Sequence, residues 1–226
     1  MLTYSELRKN ESVKAYIAGA DRSLAALGFT EHSFAHVTKV ADTCAEILSV
    51  MGYSAHETEL AKIAAYLHDI GNLVNRIDHS QSGAVMAFRI LDKLNMEASD
   101  IATVVSAIGN HDEGTGVPVD AVSAALILAD KSDVRRSRVR NRDKASFDIH
   151  DRVNYSVRKS SLKISEDKKT ITLKLDIDTR YGSIMEYFEI FMQRMILCRN
   201  NRDSRKINGI DAQNIFDSPV ARLLNP

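Results

Sequence analysis

His68, His111 and Asp130 stand where the apolar periodicity of a helix asks for a leucine. His68 lies eight residues after Leu60 and four after Ala64, and Asp69 follows it directly. His111 comes three after Ile108 in the stripe Ile101, Val104, Val105, Ile108, and Asp130 comes four after Leu126 and eight after Val122. At helical spacing each one extends a face that is otherwise buried. A buried carboxylate is costly unless paired or coordinated, and a buried imidazole needs its nitrogens satisfied. Any one of them alone reads most simply as a core histidine or a capping acid. Three helices that all end their core faces this way are a different matter, because helices packed side by side bring their ends together. A divalent cation is the simplest way to neutralise such a cluster. Imidazole with carboxylate suits Zn, Fe, Mn or Ni, and the absence of cysteine from the set disfavours a structural zinc site. His36, at the edge of the stripe of an earlier helix, is the remaining candidate; His32, one turn before it, reads as a solvated residue near the helix start.

The elements that must position these residues are mostly helices. Asn10 can cap a helix running to about Leu27 before Gly28, and Thr30 can open another that runs to Met51 before Gly52. In the second of these, Phe34, Val37, Ala41, Cys44, Leu48 and Met51 draw one apolar stripe. Ser54 and Glu57 form a capping-box pattern for a third helix ending near Gly71, and further helices are expected over about 80–94, 98–110 and 119–132. After Asp130 the character changes. The stretch Lys131 to Lys144 holds seven Lys or Arg against two Asp, and then Leu162, Ile164, Ile171, Leu173, Leu175 and Ile177 alternate with polar residues around a polar turn. That period of two predicts a hairpin over roughly 160–178 with one buried face, packed on the helices or on a second copy of itself. An apolar helix from about Ile184 to Cys198 follows, and Ser218-Pro219 offers a helix start in the tail. The fold class is therefore mainly α, a helical bundle over 1–150 with a β-hairpin and further helix over 151–226.

With 226 residues, 44% hydrophobic and 27% charged, the chain is an ordinary globular one with length for a substantial core. Thirty basic residues balance thirty acidic ones, so no global field draws it to nucleic acid or an anionic membrane. No stretch has the length of an apolar membrane span and the first residues lack a signal-peptide pattern, so a cytoplasmic protein is expected. Cys44 and Cys198, far apart in apolar segments, suit reduced core residues.

His36, the adjacent pair His68-Asp69 and Asp130, in that order and on helices, resemble the H…HD…D pattern of the HD-domain metal-dependent phosphohydrolase superfamily. The local contexts His68-Asp69-Ile70-Gly71 and Leu128-Ala129-Asp130-Lys131 are similar too, and His79 and His111 match the subset with a two-metal site. The resemblance spans roughly residues 30–135. It implies an all-α core in which His36, His68, Asp69 and Asp130 surround one divalent metal, while Asp69 bridges to a second held by His79 and His111. The metals, Fe, Mn, Zn or Mg, would activate a shared water to hydroxide and clamp phosphoryl oxygens for in-line attack, with Asp69, His79 and His111 at the reacting centre.

Departures from family patterns narrow the substrate. Asn72 stands where cyclic-di-GMP phosphodiesterases of this superfamily carry Lys, and Gly114 to Pro118 lacks their Gly-Tyr-Pro signature. Asn72 to Asp78 also lacks the Glu-Asp pair of alarmone hydrolases. A nucleotide or another small phosphorylated compound is favoured. Lys131, Arg135 and Arg136 follow the last ligand closely enough to gather phosphate, and Arg76 is a further candidate. Arg138, Arg140 and Arg142 read as a solvated connection, and Asp112 and Glu113 as exposed loop acids. Two other readings of the same residues are a diiron oxygenase and a non-catalytic metal-bearing nucleotide sensor. The hairpin's alternating face and its two open edges suit a two-fold homodimer.

Overall fold

The computed structural model describes residues 2–200 of the chain. Capping residues open most of its helices. Thr3 and Glu6 form a complete capping box on the short α1 (Tyr4–Leu7), and Asn10 caps α2 (Glu11–Ala26) by accepting from the Val13 N–H. The next helix, α3 (Phe34–Met51), is capped by Ser33 and not by Thr30. Residues 30–33 stay outside the helix instead, because the Glu31 N–H donates to the Arg138 carbonyl at 2.8 Å and the His32 N–H to Asp21 Oδ1 at 2.9 Å. At its other end α3 stops on Gly52, whose φ of 88° is the left-handed conformation that glycine adopts without strain. Ser54 and Glu57 cap α4 (Ala55–Leu67) as their spacing predicts.

A short 3-10 turn, Ile70–Leu73, links α4 to α5 (His79–Lys93). Then come α6 (Ala98–Gly109) and α7 (Ala121–Ser132), close to their expected bounds. Helix α3 packs against both α4 and α7, and α5 against α6. They share one core, built around Val37, Leu48, Ile63, Leu67, Ile108 and Leu126. The buried face of α3 is wider than a single stripe, since Val40 and Ile47 join it, while Phe34 is 38% exposed.

Beyond α7 the chain forms α8 (Ile149–Ser156), which the sequence pattern does not announce, and runs without a break into β1 (Val157–Ile164). That strand pairs antiparallel with β2 (Ile171–Ile177), Leu162 opposite Leu173 and Ile164 opposite Ile171. The hairpin's apolar face is covered by the chain's own helices. Ile171 belongs to the main core, with Leu162 and Ile164 packed against it, and Leu175 and Ile177 lie on a second cluster of Val134, Val153, Val157, Tyr187 and Phe191. The last two come from α9 (Ile184–Asn200), whose Leu197 and Cys198 reach the main core. Burial of the hairpin therefore needs no second copy, which removes one reason for expecting a dimer. Cys44 and Cys198 are both buried free thiols. The expected helix start at Ser218-Pro219 lies outside the described residues. Among those described, no helix is long and apolar enough to cross a membrane.

Candidate metal centre

The six sequence-derived ligand candidates come from five helices and meet at one end of the bundle. His36 lies in the first turn of α3, His68 caps the end of α4 with Asp69 next to it, and His79 opens α5. His111 follows the end of α6, and Asp130 sits in the last turn of α7. All four imidazoles are buried. His36 Nε2 stands 3.6 Å from Asp69 Oδ2 and 3.3 Å from Asp130 Oδ1; His68 Nε2 stands 3.2 Å and 3.7 Å from the same two atoms. Ligand atoms about 2 Å from a common cation are separated by about 3–4 Å, so this spacing suits coordination. His111 closes a further group with His68 and Asp69, their ligand atoms within 4.8 Å of one another. His79 stands apart from both groups: its Nε2 is 3.6 Å from Asp69 Oδ1 and receives a hydrogen bond from Arg76 Nη1 at 3.3 Å. Asp69 thus turns one oxygen to His36 and His68 and the other to His79.

Each ring is oriented through its Nδ1. His68 donates to the Ala65 carbonyl at 2.7 Å, His111 to Ile108 at 2.6 Å and His79 to Arg76 at 3.1 Å, in every case the carbonyl three residues back. For His68 and His111 these are carbonyls of a helix's last turn, where the regular helical ladder ends. His36 has no such carbonyl and donates to Asp133 Oδ2 at 2.8 Å. Because carbonyls and carboxylates only accept, Nδ1 carries a proton in each ring, and a cation at the cluster would meet the Nε2 lone pair of the neutral imidazole. Three of the converging atoms, His36 Nε2, His68 Nε2 and Asp69 Oδ2, are buried without any hydrogen-bond partner. Orphaned acceptors of this kind, in a nitrogen and oxygen set, fit a divalent cation.

The charges point the same way. Burial opposes ionisation of Asp69 and Asp130, yet His68 beside the one and Lys131 beside the other hold both well below the usual carboxylate range. Burial also opposes a charge on His68, but Asp69 and Asp130 outweigh it and its pKa is pushed up to about 10. For His111 burial, helped by His68 and Lys131, outweighs the opposing pull of Asp130 and pushes its pKa down to about 3. A proton on His68 Nε2 supplies the positive charge that Asp69 and Asp130 call for, and a coordinated cation would take that proton's place.

A cleft of about 530 Å³ opens on this cluster. Of the four cationic residues expected to gather phosphate, Arg76 and Lys131 line it. Arg76 donates to Asn72 Oδ1 and lies over the Phe29 ring at 5.6 Å. Lys131 is buried, 2.8 Å from Asp130 Oδ2 and 3.3 Å from Glu113 Oε1. Arg135 and Arg136 are not among the lining residues, a correction with a simple cause: both stitch down the segment after α7. Arg135 pairs with Asp133 at 2.9 Å and Glu31 at 3.2 Å; Arg136 donates to the Tyr155 carbonyl and stacks on that ring. Arg138, read as solvated, is buried and lines the cleft, as do His32 and His150. Glu113 is tied in as well, accepting from Arg194 Nε at 3.0 Å. Sequence reasoning missed Asp133, Asn72 and Arg194. Asn72 Nδ2 donates to Asp69 Oδ1 at 3.0 Å and so orients the shared carboxylate. The signal that could have found Arg194 is its charge within the apolar run of α9.

Residues 33–153, which contain all six ligand candidates, match the HD domain family model, and the chain belongs to that family. It is 26% identical over 205 residues to the uncharacterized protein MJ1020 of Methanocaldococcus jannaschii, a match covering 80% of this chain and 78% of that one. A solved structure named as a predicted HD superfamily hydrolase, from an uncultured Thermotogales bacterium, is 25% identical and covers 59% of this chain and 75% of its own, with a TM-score of 0.46.

Proposed function

We propose that the protein is a metal-dependent phosphohydrolase that cleaves a phosphoester or phosphoanhydride bond in a nucleotide or other small phosphorylated compound. The observation that carries this reading is the convergence of His36 Nε2, His68 Nε2 and Asp69 Oδ2 as buried atoms without partners, beside Asp130. In this reading His36, His68, Asp69 and Asp130 hold one divalent cation, and Asp69, His79 and His111 a second, with Fe, Mn, Zn and Mg as the candidates. Bound cations supply Lewis acidity, lowering the pKa of water and neutralising charge on phosphoryl oxygens. The chain's own groups do the rest. Asp69 serves both halves with separate oxygens, oriented by Asn72. Arg76 has no carboxylate partner among the described residues, so its guanidinium can leave His79 Nε2 for a phosphoryl oxygen. Lys131 lies between Asp130 and Glu113 and faces both carboxylates. The same reading makes the protein a cytoplasmic enzyme of small molecules that pairs with a second copy through the open edges of its hairpin.

The test is elemental analysis of the protein reconstituted with each metal, followed by a panel of nucleotides and simpler phosphoesters. Two metals per chain are expected, with hydrolysis supported by Mn and no oxygen consumed. Asp69→Ala should remove more metal and more activity than His79→Ala or His111→Ala. Full metal loading in the Asp69 variant would sink the bridging assignment. Turnover only with iron and oxygen would favour the diiron oxygenase, and nucleotide binding without turnover under any metal would favour the sensor.

A further inference from the structure

We propose that Arg194, brought to the cleft by α9, is a phosphate-binding residue of this site, held in place for its ligand by Glu113. The proposal rests on the phosphohydrolase reading and extends it to a part of the chain beyond residues 33–153, the segment that matches the family.

Arg194 is anchored by one edge only. Its Nε donates to Glu113 Oε1 at 3.0 Å, and its guanidinium carbon lies 4.1 Å over the centre of the Phe191 ring, one turn back on the same helix. No hydrogen bond uses Nη1 or Nη2 among the described residues, and neither atom is among the buried ones that lack a partner. The side chain is 22% exposed and lines the cleft that also reaches Asp69, His79, His111 and Asp130. A guanidinium fixed at Nε and backed by an aromatic ring, with both terminal amino groups open, is preorganised for two parallel hydrogen bonds to an oxyanion.

The local charges leave room for that anion. Glu113 Oε1 is shared by Arg194 and by Lys131, whose Nζ is 3.3 Å away. Once Asp130 is counted with the metal centre, Lys131 and Arg194 have this single carboxylate between them, and one positive charge is left over in the cleft wall. Tying α9 to the loop after α6 does not require that surplus. A partly exposed pair contributes little to stability. A phosphate group of the substrate is the natural counter-charge.

The experiment is calorimetric binding of inorganic phosphate to the full chain in the presence of Mn at low ionic strength. It compares wild type with Arg194→Gln, Arg194→Lys and Glu113→Gln, each also melted by circular dichroism and assayed for metal content. Arg194→Gln should weaken phosphate about tenfold, as expected for loss of charge-assisted hydrogen bonds, and Arg194→Lys by less. Glu113→Gln, whose amide oxygen can still accept from Arg194 Nε while the competing negative charge is gone, should tighten phosphate binding. A purely structural ion pair would lower the melting temperature in both neutral variants and leave phosphate affinity unmoved, and that result overturns the proposal. If Arg194→Gln does not fold, unchanged affinity in both Arg194→Lys and Glu113→Gln overturns it equally. Failure of metal-loaded wild type to bind phosphate at all counts against the phosphohydrolase reading itself, whereas wild-type binding that the variants share counts against Arg194 alone.

Discussion

The imidazole of His36 owes its orientation to Asp133, 97 positions away along the chain. The other three rings rely on a backbone carbonyl three residues back, which no side-chain substitution can remove. His36 is therefore the ligand candidate whose support can be tested alone. Asp133→Asn keeps the shape but can present an amide where the Nδ1 proton needs an acceptor. It should weaken metal binding about 10–100-fold, as loss of such outer hydrogen bonds does elsewhere, while the helical content stays that of the wild type. Competition with a chelator measures the first and circular dichroism the second; an unchanged metal affinity would falsify the supporting role. Among the ligand candidates, His68, His111 and Asp130 were legible because each is a polar residue on an apolar stripe, while His79 entered only through the family resemblance. Asp133 was not, because nothing about its position just past α7 distinguishes it from a solvated acid.

The 3-10 turn between α4 and α5 decides whether the Asp69 half and the His79 half of the site meet. A Cβ on Gly71 would lie 1.9 Å from the His79 carbonyl oxygen and 2.5 Å from the Gly83 nitrogen, both backbone atoms that cannot swing aside. Gly71→Ala should cost about 3 kcal/mol by overpacking and should lower metal content as well, since the clash pushes His79 away from Asp69. Denaturant unfolding and elemental analysis check the two effects together. A second junction, between β2 and α9, is tied by Asp178. Hydrogen bonds from Arg180, then from Arg158, hold its carboxyl well below the usual carboxylate range. In the unfolded chain the same carboxyl titrates near its ordinary value of about 3.9, so the bonds add stability above that pH and lose it as the pH falls further. Asp178→Asn should therefore melt below wild type at pH 7, and the gap should close on acidification below about pH 4. A gap independent of pH would mean that the carboxylate charge is not what matters there.

For the molecule as a whole, the C-terminal segment is built into the bundle. Leu173 is 7% exposed against the chain's own residues, and α9 supplies both core side chains and a wall of the cleft. Putting Lys at Leu173 buries a charge without a partner. It should cost at least about 3 kcal/mol in unfolding experiments, with an unchanged subunit count by light scattering. A variant of full stability that merely lost subunits would show that the hairpin face serves assembly after all.

Sequence alone determined the ligand candidates, the order of the main helices and the hairpin. These depend on spacing within one element, and helix and strand geometry translate such spacing directly into a shared face. The tertiary structure alone decided that Asp133 serves His36, that Arg76, Lys131 and Arg194 face the cleft while Arg135 and Arg136 do not, and that the hairpin is covered by its own chain. Those relations join residues on different elements. Long cationic side chains can reach in many directions from the backbone, so only packing settles which carboxylate or which cavity each one meets.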